Sequence, residues 1–128
     1  MIVLDAGVLI AHLESTDAHN RRATQLLLSA AEDQMVVSPI TMAEVLVGPA
    51  RAHQLERFQG ILRDLELTTV PLTEDSPVRL ANLRATRRLR MPDCCVLLAA
   101  EMAGAAIATF DHQLAEAASD LGVEVRTA

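Results

Sequence analysis

The sequence contains no tryptophan and no tyrosine and only two phenylalanines, so aromatic residues make up 2% of its 128 residues. RNA-binding proteins that stack bases on aromatic side chains build their platforms from such residues, and the lack of Trp and Tyr excludes any base-stacking platform of that kind. The hydrophobic fraction is nevertheless 51% and is rich in Leu, Val and Ala. We therefore expect an aliphatic core.

Cysteines and long apolar runs are also scarce. The only cysteines, Cys94 and Cys95, are adjacent, a spacing that rarely meets disulfide geometry and matches no zinc site. A reducing cytoplasm is the expected setting. Residues 1–13 are apolar but short, lack a basic lead and contain Asp5, which makes them a poor signal peptide. No apolar run reaches the roughly 20 residues of a membrane span, and we expect no membrane association.

The formal net charge of −6 argues against a protein that holds nucleic acid by overall electrostatic attraction. It leaves room for an enzyme that binds one or two phosphates through metal ions and a local group of arginines. The length predicts a single domain over residues 1–128 that buries roughly two-thirds of its unfolded surface.

Short apolar runs alternate with segments of helical spacing. The runs predict buried strands at residues 2–4, 35–37, 67–70, 105–109 and 123–125. Strands separated by helices indicate right-handed crossovers and a parallel sheet with helices on both faces. The predicted fold class is therefore α/β, a three-layer α/β/α sandwich with a central parallel sheet of about five short strands.

The helix boundaries are predicted from capping and breaking residues. Asp17 is a plausible N-cap for a helix to about residue 31, and Ser38-Pro39 is a good helix start. Gly48-Pro49 should end that helix near Val47. Further helices are predicted around residues 55–65, from about 78 to near 90, from 92 to about 100, and around 114–121.

Four acidic residues lie where strand-like runs give way to helix-like ones, and they are Asp5, Glu44, Asp93 and Asp111. In open parallel sheets, sites form beyond the carboxyl ends of the strands, so we expect these side chains to meet at one edge. Carboxylates that converge without basic partners repel one another, and a divalent cation such as Mg²⁺ or Mn²⁺ is the usual remedy. A metal-activated water that hydrolyses a phosphodiester is the reaction that such a site favours.

Each acid also has an ordinary structural explanation. Asp5 and Asp111 could cap the helices that follow them. Glu44 could form a capping box with Thr41 or be an exposed helix residue. Asp93 could interact favourably with a helix dipole. These explanations are weaker for the four together, because all four fall at the same expected end of the sheet.

Four strings in this order resemble a known family. They are residues 2–11 (IVLDAGVLIA), 38–45 (SPITMAEV), 91–93 (MPD) and 108–111 (ATFD). The chain resembles the PIN-domain ribonucleases, specifically the VapC-type toxins of bacterial toxin–antitoxin pairs. The resemblance implies that the four acids bind Mg²⁺, with Mn²⁺ as a possible substitute. It also implies that Thr109 orients this cluster without binding the metal itself.

The resemblance carries further expectations about activity and partners. The implied activity is Mg²⁺-dependent endonucleolytic cleavage of RNA, with tRNA, rRNA or mRNA as the substrate. The implied partner is a small antitoxin that covers the active site, and the implied assembly is a homodimer in the cytoplasm.

Two departures from the family pattern keep other functions open. Ala6 stands where many members carry Ser or Thr, and His112 and Gln113 stand where many carry a further acid. A catalytically weak PIN-fold module that binds only protein is therefore the alternative. A phosphohydrolase acting on small nucleotides is a third possibility, which the lack of a Gly-rich phosphate loop disfavours.

Arg84, Arg87 and Arg88 precede Asp93 and would share one face of a helix that continues to Arg90. The ordinary interpretation is a solvated helix face. The functional interpretation is a phosphate track that leads RNA to the acids.

Overall fold

The computed structural model describes residues 1–127, which contain one five-stranded parallel sheet. Its strand order is β3-β2-β1-β4-β5. The strands are β1 (Ile2–Leu4), β2 (Met35–Val37), β3 (Thr68–Thr69), β4 (Ala106–Ala108) and β5 (Val125–Arg126). All neighbouring pairs are parallel, and in the central pair Leu4 lies beside Ala108. The predicted parallel sheet of five short strands is confirmed.

Seven helices connect these strands in the part of the chain that the structure describes. They are α1 (Ala6–Leu13), α2 (Asn20–Ser29), α3 (Pro39–Arg51), α4 (Leu55–Asp64), α5 (Ser76–Thr86), α6 (Met91–Ala103) and α7 (His112–Asp120). None of these helices has both the length and the apolar character needed to cross a membrane.

The sheet separates two hydrophobic cores, because successive side chains of a strand point to opposite faces. Ile2 and Leu4 of β1 belong to the core that α1 to α4 cover, whereas Val3 belongs to the core under α6 and α7. Ile107 of β4 packs beside Val3 in the second core, and all four side chains are fully buried. The three-layer α/β/α architecture is therefore confirmed, and its core is aliphatic as expected.

Two predicted helix ends are wrong. Helix α3 does not stop near Val47 but continues through Gly48 and Pro49 to Arg51. A proline normally disfavours helical conformation in the residue before it through that residue's Cβ, and Gly48 has none. Helix α5 ends at Thr86 rather than near residue 90, because the extended segment that follows buries Leu89 in the second core.

The predicted N-cap of α2 is also wrong, since the helix begins at Asn20 and its N-cap is His19. Asp17 instead accepts the His19 backbone N–H in the preceding turn, at 2.8 Å. The Asn20 side chain donates to the carbonyls of Ala11 and His12, which ties the start of α2 to the end of α1. By contrast, the start of α3 at Ser38-Pro39 is as predicted.

We expect Gly→Ala substitutions at two positions to change stability in opposite directions. Gly104 ends α6 in the left-handed conformation with a φ of 62°, where a Cβ is strained, so Gly104→Ala should destabilise the fold by roughly 1–2 kcal/mol. Gly60 lies inside α4, and a Cβ there meets no atom within 4 Å. Gly60→Ala should therefore stabilise the fold by roughly 0.5–1 kcal/mol. Urea unfolding of both variants measures this, and changes of the same sign would contradict the assignment.

Candidate functional site

The four predicted acids line one cavity of about 290 Å³ at the carboxyl ends of β1 and β4. Its lining is Asp5, Ala6, Gly7, Ile10, Glu44, Arg90, Asp93, Phe110 and Asp111. The chain leaves β1 for β2 on one side and later returns to add β4 on the other. Such a switch in strand order opens a crevice, and the acids occupy the crevice of this sheet. Residues separated by up to 106 positions in the sequence thus share one cavity.

Asp5 lies at the N-cap position of α1, yet its side chain makes no capping hydrogen bond. Its Oδ2 instead accepts the hydroxyl proton of Thr109 at 2.7 Å. The Thr109 Oγ1 in turn accepts the backbone N–H of Asp111 at 3.0 Å, which directs the threonine proton towards Asp5. Thr109 is fully buried, whereas Asp5 and Asp111 are partly exposed, so only the hydroxyl is shielded from water. The capping explanation for Asp5 does not account for its side chain.

Asp111 both caps a helix and lines the cavity. Its Oδ1 accepts the backbone N–H groups of Gln113 and Leu114 at 2.8 and 3.1 Å, at the start of α7. The capping explanation for Asp111 is therefore correct. Both bonds use a single oxygen, and Oδ2 takes no part in the cap.

Glu44 and Asp93 reach the cavity from helices α3 and α6. Asp93 is in the first turn of α6 and is only 7% exposed, and the Nε of Arg90 lies 3.8 Å from its Oδ2. Glu44 lies in the interior of α3, whose N-cap is Ser38. A capping box with Thr41 is not formed, because the buried Thr41 hydroxyl has no hydrogen-bond partner within residues 1–127.

Burial and mutual repulsion disfavour the charged forms of these acids. The pKa of Asp5 is raised by burial and by the charges of Asp93 and Asp111, although the Thr109 hydroxyl opposes the shift. Burial likewise raises the pKa of Glu44, with the Asp5 charge adding to it and Arg90 acting against it. The pKa of Asp93 is raised by burial, partly offset by Arg90 and reinforced by Asp111.

The donor chemistry of the cavity fits a hard cation. Within residues 1–127, no group of three or more His, Cys, Asp or Glu side chains has the arrangement of a metal site. However, the described lining contains four carboxylates, no histidine or cysteine, and a single cationic side chain, Arg90. Oxygen donors of this kind suit Mg²⁺ or Mn²⁺, and a divalent charge would offset both the burial and the added repulsion that raise the pKa values of Asp5, Glu44 and Asp93.

The three predicted substrate-binding arginines do not line this cavity. Arg84 is exposed on α5, whereas Arg87 and Arg88 follow the end of that helix, so the shared helical face does not exist. Arg87 pairs with Asp120 at 3.2 Å, and Arg87 and Arg88 line a depression beside α7. Contact of these three arginines with RNA stays a prediction. A shared face of one helix no longer supports it, because α5 ends at Thr86.

The structure places on the cavity two residues that were not predicted as site residues from the sequence. They are Phe110 and Arg90, and the sequence pattern had only grouped Arg90 with the neighbouring arginines. Arg90 is three positions before Asp93 and immediately precedes α6, a spacing that could have identified it. Phe110 separates Thr109 from Asp111, but no sequence signal indicates which way its ring points.

An apolar groove of about 230 Å³ adjoins the acid cavity and shares Ile10 with it. Helices α1, α3 and the start of α4 form its walls, with Leu13, Val45, Pro49 and Phe58 among the lining residues. The continuation of α3 past Gly48 therefore builds one side of this groove.

Comparison with known proteins identifies the fold and the relatives it resembles. The family model described as PIN domain matches residues 2–120, which confirms the resemblance drawn from the sequence. A toxin–antitoxin complex from Klebsiella pneumoniae is similar at a TM-score of 0.78 and 25% identity, over 99% of this chain and 97% of that one. No curated protein matches the sequence.

Two further solved structures share the fold at lower identity. FitAcB from Neisseria gonorrhoeae has a TM-score of 0.76 and 22% identity, over 99% of this chain and 97% of that one. VapC20 from Mycobacterium tuberculosis, a toxin that cleaves the sarcin–ricin loop, has a TM-score of 0.77 and 18% identity, over 99% of this chain and 100% of that one.

We expect Asp5→Asn to stabilise the metal-free protein at neutral pH, because it removes a buried charge and keeps an acceptor for Thr109. Since the pKa of Asp5 is raised above its ordinary 3.8, its ionised form opposes folding above the folded pKa. The metal-free protein should therefore gain stability as pH falls from 7 towards 4, and the variant should gain less. Thermal unfolding in EDTA at several pH values measures both effects.

Asp33→Asn is the matched control for this prediction. The hydrogen bond from Arg126, at 2.7 Å, lowers the pKa of Asp33, so its charge favours the folded state above the unfolded pKa. The control should lower the melting temperature at pH 7. A melting temperature that falls equally in both variants would refute the account of Asp5.

Proposed function

The chain belongs to the PIN domain family, and on that premise we propose that it is a metal-dependent endoribonuclease, the toxin of a type II toxin–antitoxin pair. The supporting observation is that four carboxylates line one cavity. The Asp5 side chain does not cap α1 but accepts a hydrogen bond from Thr109, which orients it. Asp111 caps its helix from the equivalent N-cap position, so helix capping does not account for the Asp5 carboxylate.

Asp5, Glu44, Asp93 and Asp111 would hold Mg²⁺, with Mn²⁺ as a substitute. When bound, the ion supplies Lewis acidity towards the phosphate and the attacking water. Thr109 acts from behind Asp5, because its hydrogen bond fixes the rotation of that carboxylate. The Thr109 hydroxyl also accepts a hydrogen bond from the backbone N–H of Asp111, the N-cap of α7. The orientation of Asp5 is therefore coupled to the start of α7.

Arg90 supplies the only positive side chain on the described cavity wall. Its side chain is 77% exposed and its Nε is 3.8 Å from Asp93, which is too long for a strong ion pair. We assign Arg90 to a phosphate oxygen of the substrate, since its remaining donors face solvent at the cavity mouth. RNA is the proposed substrate class, and cleavage of tRNA, rRNA or mRNA is the proposed reaction.

A small antitoxin is the proposed partner, because the solved structures that this chain resembles include a toxin–antitoxin complex. The apolar groove beside the acids supports this proposal. A partner segment in that groove would end at Ile10, which also borders the acid cavity, and would cover the site. A homodimer and a cytoplasmic location complete the proposal, and light scattering of the purified protein checks the dimer.

A protein-binding module without catalytic activity is the second candidate. One observation favours this candidate: within residues 1–127, no set of three or more His, Cys, Asp or Glu side chains is already arranged as a metal site. Ala6 adds to this, since the cavity lacks a hydroxyl at that position. Calorimetric titration with Mn²⁺ separates the two candidates, because only the nuclease requires the acids to bind the ion.

We expect the purified protein to cleave RNA in Mg²⁺ and to lose this activity in EDTA and in Asp5→Asn. The substitution should lower the rate by at least roughly 100-fold, because the metal loses a charged ligand that organises charge stabilisation in the transition state. Gel analysis of total RNA fragments measures the cleavage. Asp64→Asn, an exposed acid at the end of α4, is the matched control and should retain full activity.

Cleavage that persists in both EDTA and Asp5→Asn would refute the proposed mechanism. Thr109 offers a finer check, because Thr109→Val removes the hydroxyl that orients Asp5 while nearly preserving volume. The Mn²⁺ affinity of the Thr109→Val variant should fall below that of the wild type, whereas the Thr109→Ser variant should retain most of the wild-type affinity. Equal affinities for the two variants would remove Thr109 from the site.

We also expect the antitoxin, a short protein encoded beside this chain's gene, to inhibit cleavage through the apolar groove. Phe58→Glu puts a charge into that groove and should weaken co-purification by at least about tenfold, since a buried unpaired charge costs several kcal/mol. Cleavage without antitoxin should be unchanged. Undiminished co-purification of the variant would exclude the groove as the binding site.

A further inference from the structure

Phe110 connects the acid cavity to two residues of α2 that the proposed mechanism does not use. Phe110 lines the cavity and stands between Thr109 and Asp111 in the sequence. The guanidinium carbon of Arg22 lies 4.4 Å from the centroid of the Phe110 ring. The His19 imidazole lies against the same ring, with centroids 5.5 Å apart and planes inclined at 34°. His19, Arg22 and Phe110 thus form a continuous stack at the rim of the acid cavity.

Two contacts fix the position of the Arg22 side chain, one with a backbone carbonyl and one with the Phe110 ring. Its Nε donates to the carbonyl of Thr127 at 3.0 Å, while its guanidinium carbon lies over the phenyl ring. Within residues 1–127, the terminal N–H groups of Arg22 form no hydrogen bond. No carboxylate within residues 1–127 forms a salt bridge with Arg22, unlike Arg79, Arg87 and Arg126.

Within residues 1–127, Arg22 forms no ion pair with an acid of the cavity, in contrast to Arg90, whose Nε lies 3.8 Å from Asp93. The fork of N–H donors on Arg22 suits a phosphate, which it can bind through two parallel hydrogen bonds. All eleven basic residues of this chain are arginines, and the net charge is −6. Affinity for a polyanion must therefore come from a few well-placed cations. Arg90 lines the acid cavity, and Arg22 contacts Phe110, which lines the same cavity.

His19 adds a flat surface to this cation. It is exposed, so its free face is accessible to a ligand. The composition excludes a platform of several aromatic residues, but one imidazole supported by one phenyl ring is enough to stack a single base. Stacking of a base on an aromatic side chain is tolerant of sequence and suits single-stranded RNA.

We propose that His19, Arg22 and Phe110 form a nucleotide subsite next to the scissile position, in which Arg22 binds a flanking phosphate and His19 stacks on the base of single-stranded RNA. This subsite rests on the proposed nuclease function and deepens it. Phe110 is the positioning residue, because it holds both side chains at the cavity rim. The subsite predicts that the enzyme prefers unpaired nucleotides beside the cut.

The test measures binding of a labelled single-stranded RNA to the full chain carrying Asp5→Asn, in Mg²⁺, by fluorescence anisotropy. Adding Arg22→Ala should weaken binding and reduce the slope of log affinity against log salt by roughly 0.7, the value for one phosphate contact on a single strand. Adding His19→Ala should weaken binding by at least about fivefold. Arg22→Lys should keep the salt slope, because it keeps the charge.

Arg57→Ala is the matched control for Arg22→Ala. Arg57 also lies over a phenyl ring, that of Phe58, at 5.6 Å, but neither residue lines the acid cavity. The control removes the same charge and the same kind of contact, so it should leave the binding constant and the salt slope unchanged. Equal losses in Arg22→Ala and Arg57→Ala would overturn the subsite.

Photo-crosslinking of 4-thiouridine RNA to the Asp5→Asn protein gives a readout that does not require substitutions in the subsite itself. The subsite predicts crosslinks in the peptides that contain His19 and Phe110. Crosslinks confined to residues 84–88, or no binding by the Asp5→Asn parent, would overturn it. Wild-type cleavage is assayed in parallel. If the wild type cleaves RNA but Arg22→Ala does not change RNA binding, only the subsite is rejected. If crosslinks form at His19 but the wild type does not cleave RNA, the nuclease function is rejected and the RNA-binding role of these residues stands.

Discussion

The hydrogen bond from the buried Thr109 hydroxyl to Asp5 is the interaction on which the site depends. It joins the ends of the two central strands, β1 and β4, where the strand order switches. The same hydroxyl accepts the Asp111 N–H, so it bridges Asp111 and Asp5 by accepting from one and donating to the other. A neutral side chain thereby positions a carboxylate without neutralising it. The orientation of Asp5 follows from backbone geometry and does not require a cationic partner.

The fold accepts a cost in stability at this cavity. Burial and the neighbouring charges raise the pKa values of Asp5, Glu44 and Asp93, so each ionised side chain works against folding. The two aliphatic cores on either side of the sheet supply the compensating stability. Such tension between charge and burial is common where a protein binds a cation or carries out chemistry. It is consistent with the nuclease function that we propose.

The surroundings of the acids divide into surfaces of different character. Arg90 reaches the cavity from the start of α6, whereas Arg22 borders it through Phe110 from α2. The apolar groove meets the same cavity at Ile10. A polyanion would contact the arginine side, and an apolar protein segment would contact the groove. Substrate and inhibitor could thus use different surfaces and still compete for the acids, which is the arrangement that the proposed toxin requires.

Much of this was accessible from the sequence because it depends on local patterns. The strand at residues 2–4, the helix start at Ser38-Pro39 and the continuously apolar α6 were all predicted correctly. Parallel topology then placed the four acids at one edge, and they do share a cavity. The helix ends were harder to predict from the sequence. The helix predicted to end near residue 90 ends at Thr86, because Leu89 packs into a core that forms only in the folded chain.

The sequence by itself determined which residues carry charge, which are apolar, and the order in which strands and helices alternate. Only the tertiary structure decided what each side chain contacts. Asp5 and Asp111 both occupy N-cap positions, yet one carboxylate caps its helix and the other accepts from Thr109. His19, Arg22 and Phe110 meet although 91 positions separate His19 from Phe110. Contacts of this range depend on how helices pack across the sheet, and no local pattern of residues encodes that distance.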